Sequence, residues 1–461
     1  MPARSEPDES LQAWVASLPE VEGVRPIDRM PKLAVGQARR AKFRRQAAPG
    51  TSTELTPEQT IFTLVREGTV LRWRSGAIAS VGSAPAGRRG LSRAALPAGS
   101  VVQQFAFEKL DGSQVYNTLV DLDRKLTPNA AYAGEVQTGL RRWTNGKFLP
   151  FDDPKAAAGK NVLMFIHGTF SNNESLLSNG LNQFDPGKKL LADAAKHYDL
   201  ILAFDHPTLS VSPSMNAFDL AALLRPNPAK LDIVCHSRGG LVTRWFCEAF
   251  ADPALQRRAV LVGSPLAGTS LASAPRARAT MEYLTTLADY LRTGTKLISA
   301  AGPLFIAVSG LLRVLGAVTN LAAKTPAFDV AFALVPGLDG QSRHGNNEEL
   351  RRLRRNTGHT IGSDPATQYF AIRSNFEPTA IGWNFLQLFS KPMQRIADLG
   401  ADMLFPAEND LIVDTESMTD VADRNQVAIA HDFGTNNTVH HLNYFHQPET
   451  VAAIRKSFKI S

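Results

Sequence analysis

The stretch LDIVCHSRGGLV, residues 231–242, runs an apolar segment into a turn carrying a serine, then into two glycines and an apolar helical pattern. A serine on a sharp turn between a strand and a helix stands clear of the sheet. The next residue's N–H lies at the helix start, where unpaired donors and the helix dipole favour negative charge. That arrangement suits an attacking hydroxyl, Ser237, with the Arg238 N–H beside the charge it would create. Such a turn is crowded, so small residues are wanted two before and two after the serine. Here these are Cys235 and Gly239, around His236. The nucleophile-elbow pattern is G-x-S-x-G, and this chain departs from it by placing cysteine at the first position.

Three further stretches supply the other groups. HGTFSNNES, residues 167–175, follows the apolar run NVLMFI. Gly168, after His167, lets the backbone turn so that the N–H of Thr169 or Phe170 points at the site. With the Arg238 N–H it would hold an oxyanion, at roughly 3 kcal/mol per donor. FPAENDLIVDTESM, residues 405–418, offers the carboxylate a histidine needs to fix its tautomer. Asp410 is the choice there, with Asp414 and Glu408 as competitors. VHHLNYFHQPE, residues 439–449, carries three histidines. His441 is favoured, with His440 and His446 behind it, because a base belongs on the loop before the last helix, PETVAAIRKSF. Clustered histidines also suggest a metal, but no second ligand group completes a closed site. Asp205-His206 follows an earlier strand and reads as structural or pocket-lining.

These groups need a scaffold, and the apolar patterning supplies one. NVLMFI (161–166), LILAFD (200–205), LDIVC (231–235), RAVLVG (258–263), QYFAIR (368–373) and DMLF (402–405) are too apolar to face water on either side. Alternating with helical stretches, they predict a parallel sheet with helices on both faces, an α/β fold. Between the fourth and fifth runs lies a helical, apolar insertion of about 100 residues where a lid would sit.

Earlier in the chain the texture differs. Residues 1–55 are rich in Pro, Arg and Ala and read as a basic tail or linker. Thr56 as N-cap, Pro57 and Gln59 predict a short helix. TVLRWRSG, VVQQFAFEKLDGSQVYNTLV and LRRWTNGKFLPF read as strands, with hairpin turns at Asp111-Gly112 and Asn145-Gly146. The expected division is therefore a tail at 1–55, a small β-rich module of unknown role at 56–155, and an α/β domain at 156–461.

Composition bounds the function classes. With 461 residues, 44% of them hydrophobic, the chain can bury a large core as one big domain with a smaller companion. Its 50 lysines and arginines are interleaved with 43 acids, for a net charge of +7, which argues against a nucleic-acid binder. RRAKFRR, residues 39–45, reads as a solvated basic tail, with peripheral contact to an anionic membrane as the alternative. Two cysteines, Cys235 and Cys247, form no disulfide framework and fit a reduced compartment. The N-terminus has no signal-peptide pattern, so a cytoplasmic protein, with membrane association as the alternative, is expected. LISAAGPLFIAVSGLL, residues 297–312, is short for a membrane span and broken by Gly302-Pro303 and Gly310, so it reads as a buried or lid helix pair, with a membrane-contacting segment as the alternative.

Taken together, VLMFIHGTFSN, LILAFDHPTLS, LDIVCHSRGGLVTR, AVLVGSPLAGTSLA, ENDLIV and HHLNYF resemble the α/β-hydrolases of lipase and esterase type, near bacterial triacylglycerol lipases and GPI-inositol-deacylase-like proteins. The order serine, aspartate, histidine matches, and the resemblance covers roughly residues 160–455. It implies an α/β-hydrolase fold with a lid at about 275–345, exiting at PGLDGQSRHGNNEELRRL. It also implies a Ser237–Asp410–His441 triad, oxyanion donors at Arg238 and Thr169, and an acyl-enzyme route with an acyl ester or lipid as substrate, with neither metal nor organic cofactor required. Acyl transfer on the same triad, or a non-catalytic scaffold whose N-terminal module carries the partner contact, are the alternatives.

Overall fold

A computed structural model of the chain describes residues 24–26, 59–68, 70–75, 100–108, 112–127, 138–177, 180–272, 277–293, 308, 311, 314, 334–343, 347–354, 367–379, 405, 408–421 and 427–461. The N-terminal part contributes β1 (Val24–Pro26), β2 (Gln59–Glu67), β3 (Val70–Ser75), β4 (Ser100–Glu108) and helix α1 (Gly112–Leu126). There follow β5 (Gly139–Thr144), β6 (Lys147–Pro150), β7 (Asn161–Ile166), α2 (Asn173–Leu177), α3 (Asp185–His197), β8 (Leu200–Asp205), α4 (Pro213–Leu223), β9 (Lys230–His236), α5 (Gly239–Trp245) and β10 (Gln256–Val262). The chain ends with α6 (Ala277–Thr293), α7 (Pro336–Asp339), α8 (Glu348–Arg354), β11 (Thr367–Phe376), β12 (Ala428–Asn436) and α9 (Pro448–Phe458).

Five of the six apolar runs form the strands expected of them. β8, β7, β9, β10, β11 and β12 lie side by side, each parallel to its neighbours, and β5 adds antiparallel to β8 with β6 at the edge. Side chains alternate between the faces with the period of two that a strand imposes. Val162, Met164, Ile166, Ile233 and Cys235 go to one face under α4 and α5. Leu163, Phe165, Val234, Val260 and Val262 go to the other, against α3 and α9. Each large aliphatic buried this way contributes about 2 kcal/mol. The serine turn follows the central strand β9, so the fold is an α/β-hydrolase fold with the turn at the carboxyl end of its sheet.

Several expectations are corrected. Of DMLF only Phe405 is among the described residues, buried outside any strand, and residues 402–404 lie outside them. The last place belongs instead to β12, AIAHDFGTN, a largely solvent-facing edge strand with no continuous apolar run to announce it. Asp111 lies outside the described residues, and Gly112, expected in a hairpin turn, opens α1, where Val115, Leu119, Leu122 and Leu126 make one buried stripe at helical spacing. Gln59 starts β2 rather than lying in a helix; Thr56 and Pro57 are outside the described residues. Asn145-Gly146 does turn a hairpin, with φ of 50° and 81°. That hairpin, β5–β6, belongs to the large sheet, so the sheets do not divide at residue 155. Within the expected tail, Val24–Pro26 pairs with β4; RRAKFRR lies outside the described residues.

The N-terminal sheet, ordered β1-β4-β2-β3, is antiparallel throughout. It packs on α6, the first helix of the expected lid. Phe62, Leu64, Trp73 and Phe105 share one apolar cluster with Met281, Tyr283, Leu284, Leu287 and Leu291. The Leu71 N–H donates to Thr286 Oγ1 at 3.0 Å, Trp73 Nε1 donates to Thr285 Oγ1 at 3.0 Å, and Arg72 pairs with Glu282 at 2.9 Å. Among the described residues no helix is long and apolar enough to cross a membrane.

Candidate active site

β9 ends at His236 and α5 begins at Gly239, so Ser237 and Arg238 are the whole connection. Ser237 adopts φ 53°, a left-handed conformation that costs a non-glycine residue about 1–2 kcal/mol. Its surroundings hold it there. The Ser237 N–H donates to Val262 O at 2.9 Å and its carbonyl accepts from the Gly240 N–H at 2.9 Å. A Cβ at Gly239 would sit 2.6 Å from Ile166 O and 2.7 Å from His167 O, so position 239 must be glycine. Cysteine at 235 is tolerated because its side chain points into the core, with Sγ 3.6 Å from Val260 O. Burial pushes that thiol up to about 12, which keeps it protonated and excludes it as a nucleophile at neutral pH.

Across the turn lies the histidine expected as base. His441, between β12 and α9, donates from Nδ1 to Asp410 Oδ2 at 2.8 Å, and its N–H donates to Asp410 O at 2.9 Å. Asp410 is fully buried, and both of its oxygens are used. Oδ1 accepts the N–H groups of Ile412 and Val413 at 3.1 and 2.9 Å, and Oδ2 also accepts the Tyr444 hydroxyl at 3.0 Å. His236 packs on His441 with ring centroids 4.6 Å apart and donates from Nε2 to His441 O at 3.0 Å, which ties the elbow to the histidine loop. Burial holds His236 well below the usual histidine range, hence neutral. No hydrogen bond joins Ser237 to His441 among the described residues.

The third arm is the segment after β7. Gly168 abuts the serine: a Cβ there would lie 2.6 Å from Ser237 Cβ and 3.3 Å from its Oγ. Phe170 has φ 55°, and the Thr169 hydroxyl accepts from Gln341 Nε2 at 2.9 Å, so a residue at the far end of the insertion fixes this loop. His167 is buried and stacked on His206 at 4.1 Å; burial lowers it to about 4. Its Nδ1 donates to Gly168 O at 3.0 Å, fixing the start of the turn. The Arg238 N–H finds no acceptor among the described residues.

The competing residues are engaged elsewhere. Asp414 accepts the N–H and hydroxyl of Ser270, both at 3.0 Å, and Glu408 is exposed. His440 packs edge-on against Phe376, and burial lowers it to about 4; His446 lies in the turn Tyr444–His446. Asp205 accepts from Asn173 Nδ2 at 2.8 Å, and His206 stacks between Phe204 and His167. Among the described residues no three ligating side chains could hold a metal ion. A separate cleft of about 680 Å³ lies at the opposite end of the sheet, lined by Lys230, Arg257, Arg258 and Lys456. Lys230 and Arg258 pair with Asp232, Arg258 also donates to the helix carbonyls of Ser457 and Phe458, Arg257 donates to Thr367 and to Asp252 O, and the cleft holds none of the predicted groups.

Sequence reasoning missed Tyr444, Gly263 and Tyr283. Gly263, at φ 53°, lets Asp410 Oδ2 and His441 Nδ1 approach; a Cβ there would lie 3.1 and 3.3 Å from them. The Tyr283 hydroxyl donates to the carbonyl of Leu411, a residue at φ 92°, at 2.8 Å. A glycine directly after an apolar strand was a usable signal for Gly263, and an aromatic three residues after His441 for Tyr444. Nothing local marks Tyr283.

The family model described as Domain of unknown function (DUF7379) matches residues 136–459. No curated protein matches the chain. Among solved structures, the chain is similar to the lipase BlEst2 of Bacillus licheniformis in mature form, at 14% identity and TM-score 0.37, over 70% of this chain and 98% of that one. Lipase 1 from Pelosinus fermentans also scores 0.37 at 14% identity, over 65% and 98%. The metagenomic carboxyl esterase MGS0156 scores 0.32 at 13%, over 74% and 90%.

Proposed function

The chain belongs to the family described as Domain of unknown function (DUF7379); from that premise, which carries no activity of its own, we propose that it is a serine hydrolase of carboxylic esters. One observation carries the reading: the buried 2.8 Å bond from His441 Nδ1 to Asp410 Oδ2, tied through His236 to a serine at φ 53° on a strand-to-helix turn. A carboxylate fixed on Nδ1 leaves Nε2 as the free acceptor, which a general base requires.

In this reading Ser237 Oγ attacks the ester carbonyl as His441 Nε2 takes its proton. The oxyanion is held by the N–H of Arg238 with that of Thr169 or Phe170. Collapse breaks the C–O bond, and the imidazolium returns the proton to the departing alcohol. Water, deprotonated by His441, then attacks the acyl-serine and releases the acid. The low-lying neutral His236 and His167 add no competing charge beside the imidazolium that forms. An apolar acyl group is favoured, because Phe170, Ile412 and Leu442, one from each catalytic loop, lean on the same apolar cluster that α6 and the N-terminal sheet build.

The test is labelling by a fluorophosphonate probe, wild type against Ser237→Ala and His441→Ala, with p-nitrophenyl esters of graded chain length. Labelling lost in the serine variant and collapsed in the histidine variant supports the triad. A wild type that stays unlabelled, with and without detergent, refutes it.

A further inference from the structure

Asp123 stands outside every motif above, on α1 of the N-terminal part, yet its carboxylate is buried against the loop that follows β8. Three consecutive residues of that loop point donors at it. Oδ1 accepts the Thr208 N–H at 2.7 Å and its hydroxyl at 3.3 Å; the Leu209 N–H is shared at 3.0 and 3.2 Å; Oδ2 accepts the Ser210 N–H at 2.8 Å and its hydroxyl at 2.7 Å. Burial works against the charge on this carboxyl and the donors work for it. An acceptor-only carboxylate is the form that can satisfy all of them at once.

The next residue in the loop connects this cluster to the elbow. The Val211 carbonyl accepts from Arg238 Nη2 at 2.6 Å. The Arg238 guanidinium is buried, and its Nε and Nη1 meet no protein acceptor among the described residues. Its charge is offset by the fields of Asp123 and of Glu349 on α8, which itself accepts the Ser214 N–H at 2.7 Å. A buried cation so sparingly bonded sits where the loop and the two acids hold it.

We infer that Asp123 is a positioning residue for the esterase reaction: through the loop 208–211 and the Arg238 side chain it fixes the Arg238 backbone N–H that stabilises the oxyanion. This inference rests on the hydrolase reading above, and it assigns the N-terminal part a role in the chemistry. An oxyanion donor acts only at hydrogen-bond distance, so a shift of a fraction of an ångström is felt in kcat.

The experiment measures probe labelling, kcat and KM on a short p-nitrophenyl ester, and melting temperature. It compares wild type, Asp123→Asn, Arg238→Gln, the double variant, and Arg66→Ala, which breaks the 3.1 Å ion pair to Asp289 on α6 without touching the elbow. Asp123→Asn and Arg238→Gln should each lower kcat by about 10- to 100-fold with KM within about threefold. The double variant should be no slower than the slower single. Arg66→Ala should keep its kcat. With a labelled wild type, an Asp123→Asn enzyme within about twofold in kcat, or losses that multiply in the double variant, overturn this inference alone. An unlabelled wild type overturns the hydrolase reading and this one with it. If Asp123→Asn does not fold, Ser210→Ala removes only the hydroxyl bond to Oδ2. It should slow kcat by about threefold in wild type and not at all in Arg238→Gln, and an equal fall in both backgrounds refutes the coupling.

Discussion

Replacing Asp410 by asparagine changes one atom, and the structure says which way the amide must turn. Oδ1 faces the N–H groups of Ile412 and Val413 at 3.1 and 2.9 Å. An amide NH₂ placed there would oppose two buried donors, at about 1–3 kcal/mol for each one left unpaired. The amide oxygen therefore takes that side, and the NH₂ replaces Oδ2 opposite His441 Nδ1 and the Tyr444 hydroxyl. The hydroxyl can rotate to accept. The imidazole can accept only by moving its proton to Nε2, and a protonated Nε2 cannot take the proton of Ser237. Loss of the correct tautomer costs about ten-thousand-fold in kcat, or about 5.5 kcal/mol of barrier, for a fold that is otherwise intact. The assay is steady-state hydrolysis of a p-nitrophenyl ester with melting temperature as the check on folding. An Asp410→Asn enzyme that folds normally and retains more than about a tenth of wild-type kcat would refute the tautomer argument and the assignment of Asp410.

Other outcomes follow from the same geometry. Gly168→Ala should fold with a loss of about 1–3 kcal/mol by chemical denaturation and lose most of its activity, since the new methyl meets Ser237 Cβ at 2.6 Å and must push that side chain aside. His440, held at about 4 by burial, binds a proton at about 6.5 once unfolded, so it contributes stability above pH 6.5 that is lost as pH falls towards 4. Relative to wild type, His440→Gln should gain up to about 3 kcal/mol between pH 7 and pH 4; a difference that does not change with pH in paired melts would contradict neutral burial. Both cysteines are buried, so Ellman's reagent should find no reactive thiol in the native protein and two after denaturation. Fast native labelling at Cys235 would show that the elbow strand opens.

Much of this molecule is local and so legible in the chain itself. The strands β7 to β11 announce themselves because each carries a continuous apolar run where both of its faces are covered. Ser237 announces itself because a strand-to-helix turn wants small residues two positions to either side, here Cys235 and Gly239, and His441 by standing on the loop before a helix with Pro448 at its first position. The order serine, aspartate, histidine is likewise a property of the sequence. Edge strand β12 escaped because one face meets solvent and its polar residues break the pattern. Gly112 misled because a residue that favours turns can also open a helix.

Packing decided what remained. Asp410, rather than Asp414 or Glu408, meets the histidine because the loop from 408 to 418 folds so that Ile412 and Val413 aim their N–H groups back at it, while Asp414 turns to Ser270. The same holds for Gly263, for Tyr283 on Leu411, and for Asp123 on the loop after β8, an acid 85 residues from its first partner. Each is a hydrogen bond or close approach between distant segments. The sequence by itself determined which residues could act and on which kinds of element they ride. Only the tertiary structure decided which of them meet, because a directional contact of 3 Å depends on how separate elements pack, and no local pattern encodes that distance.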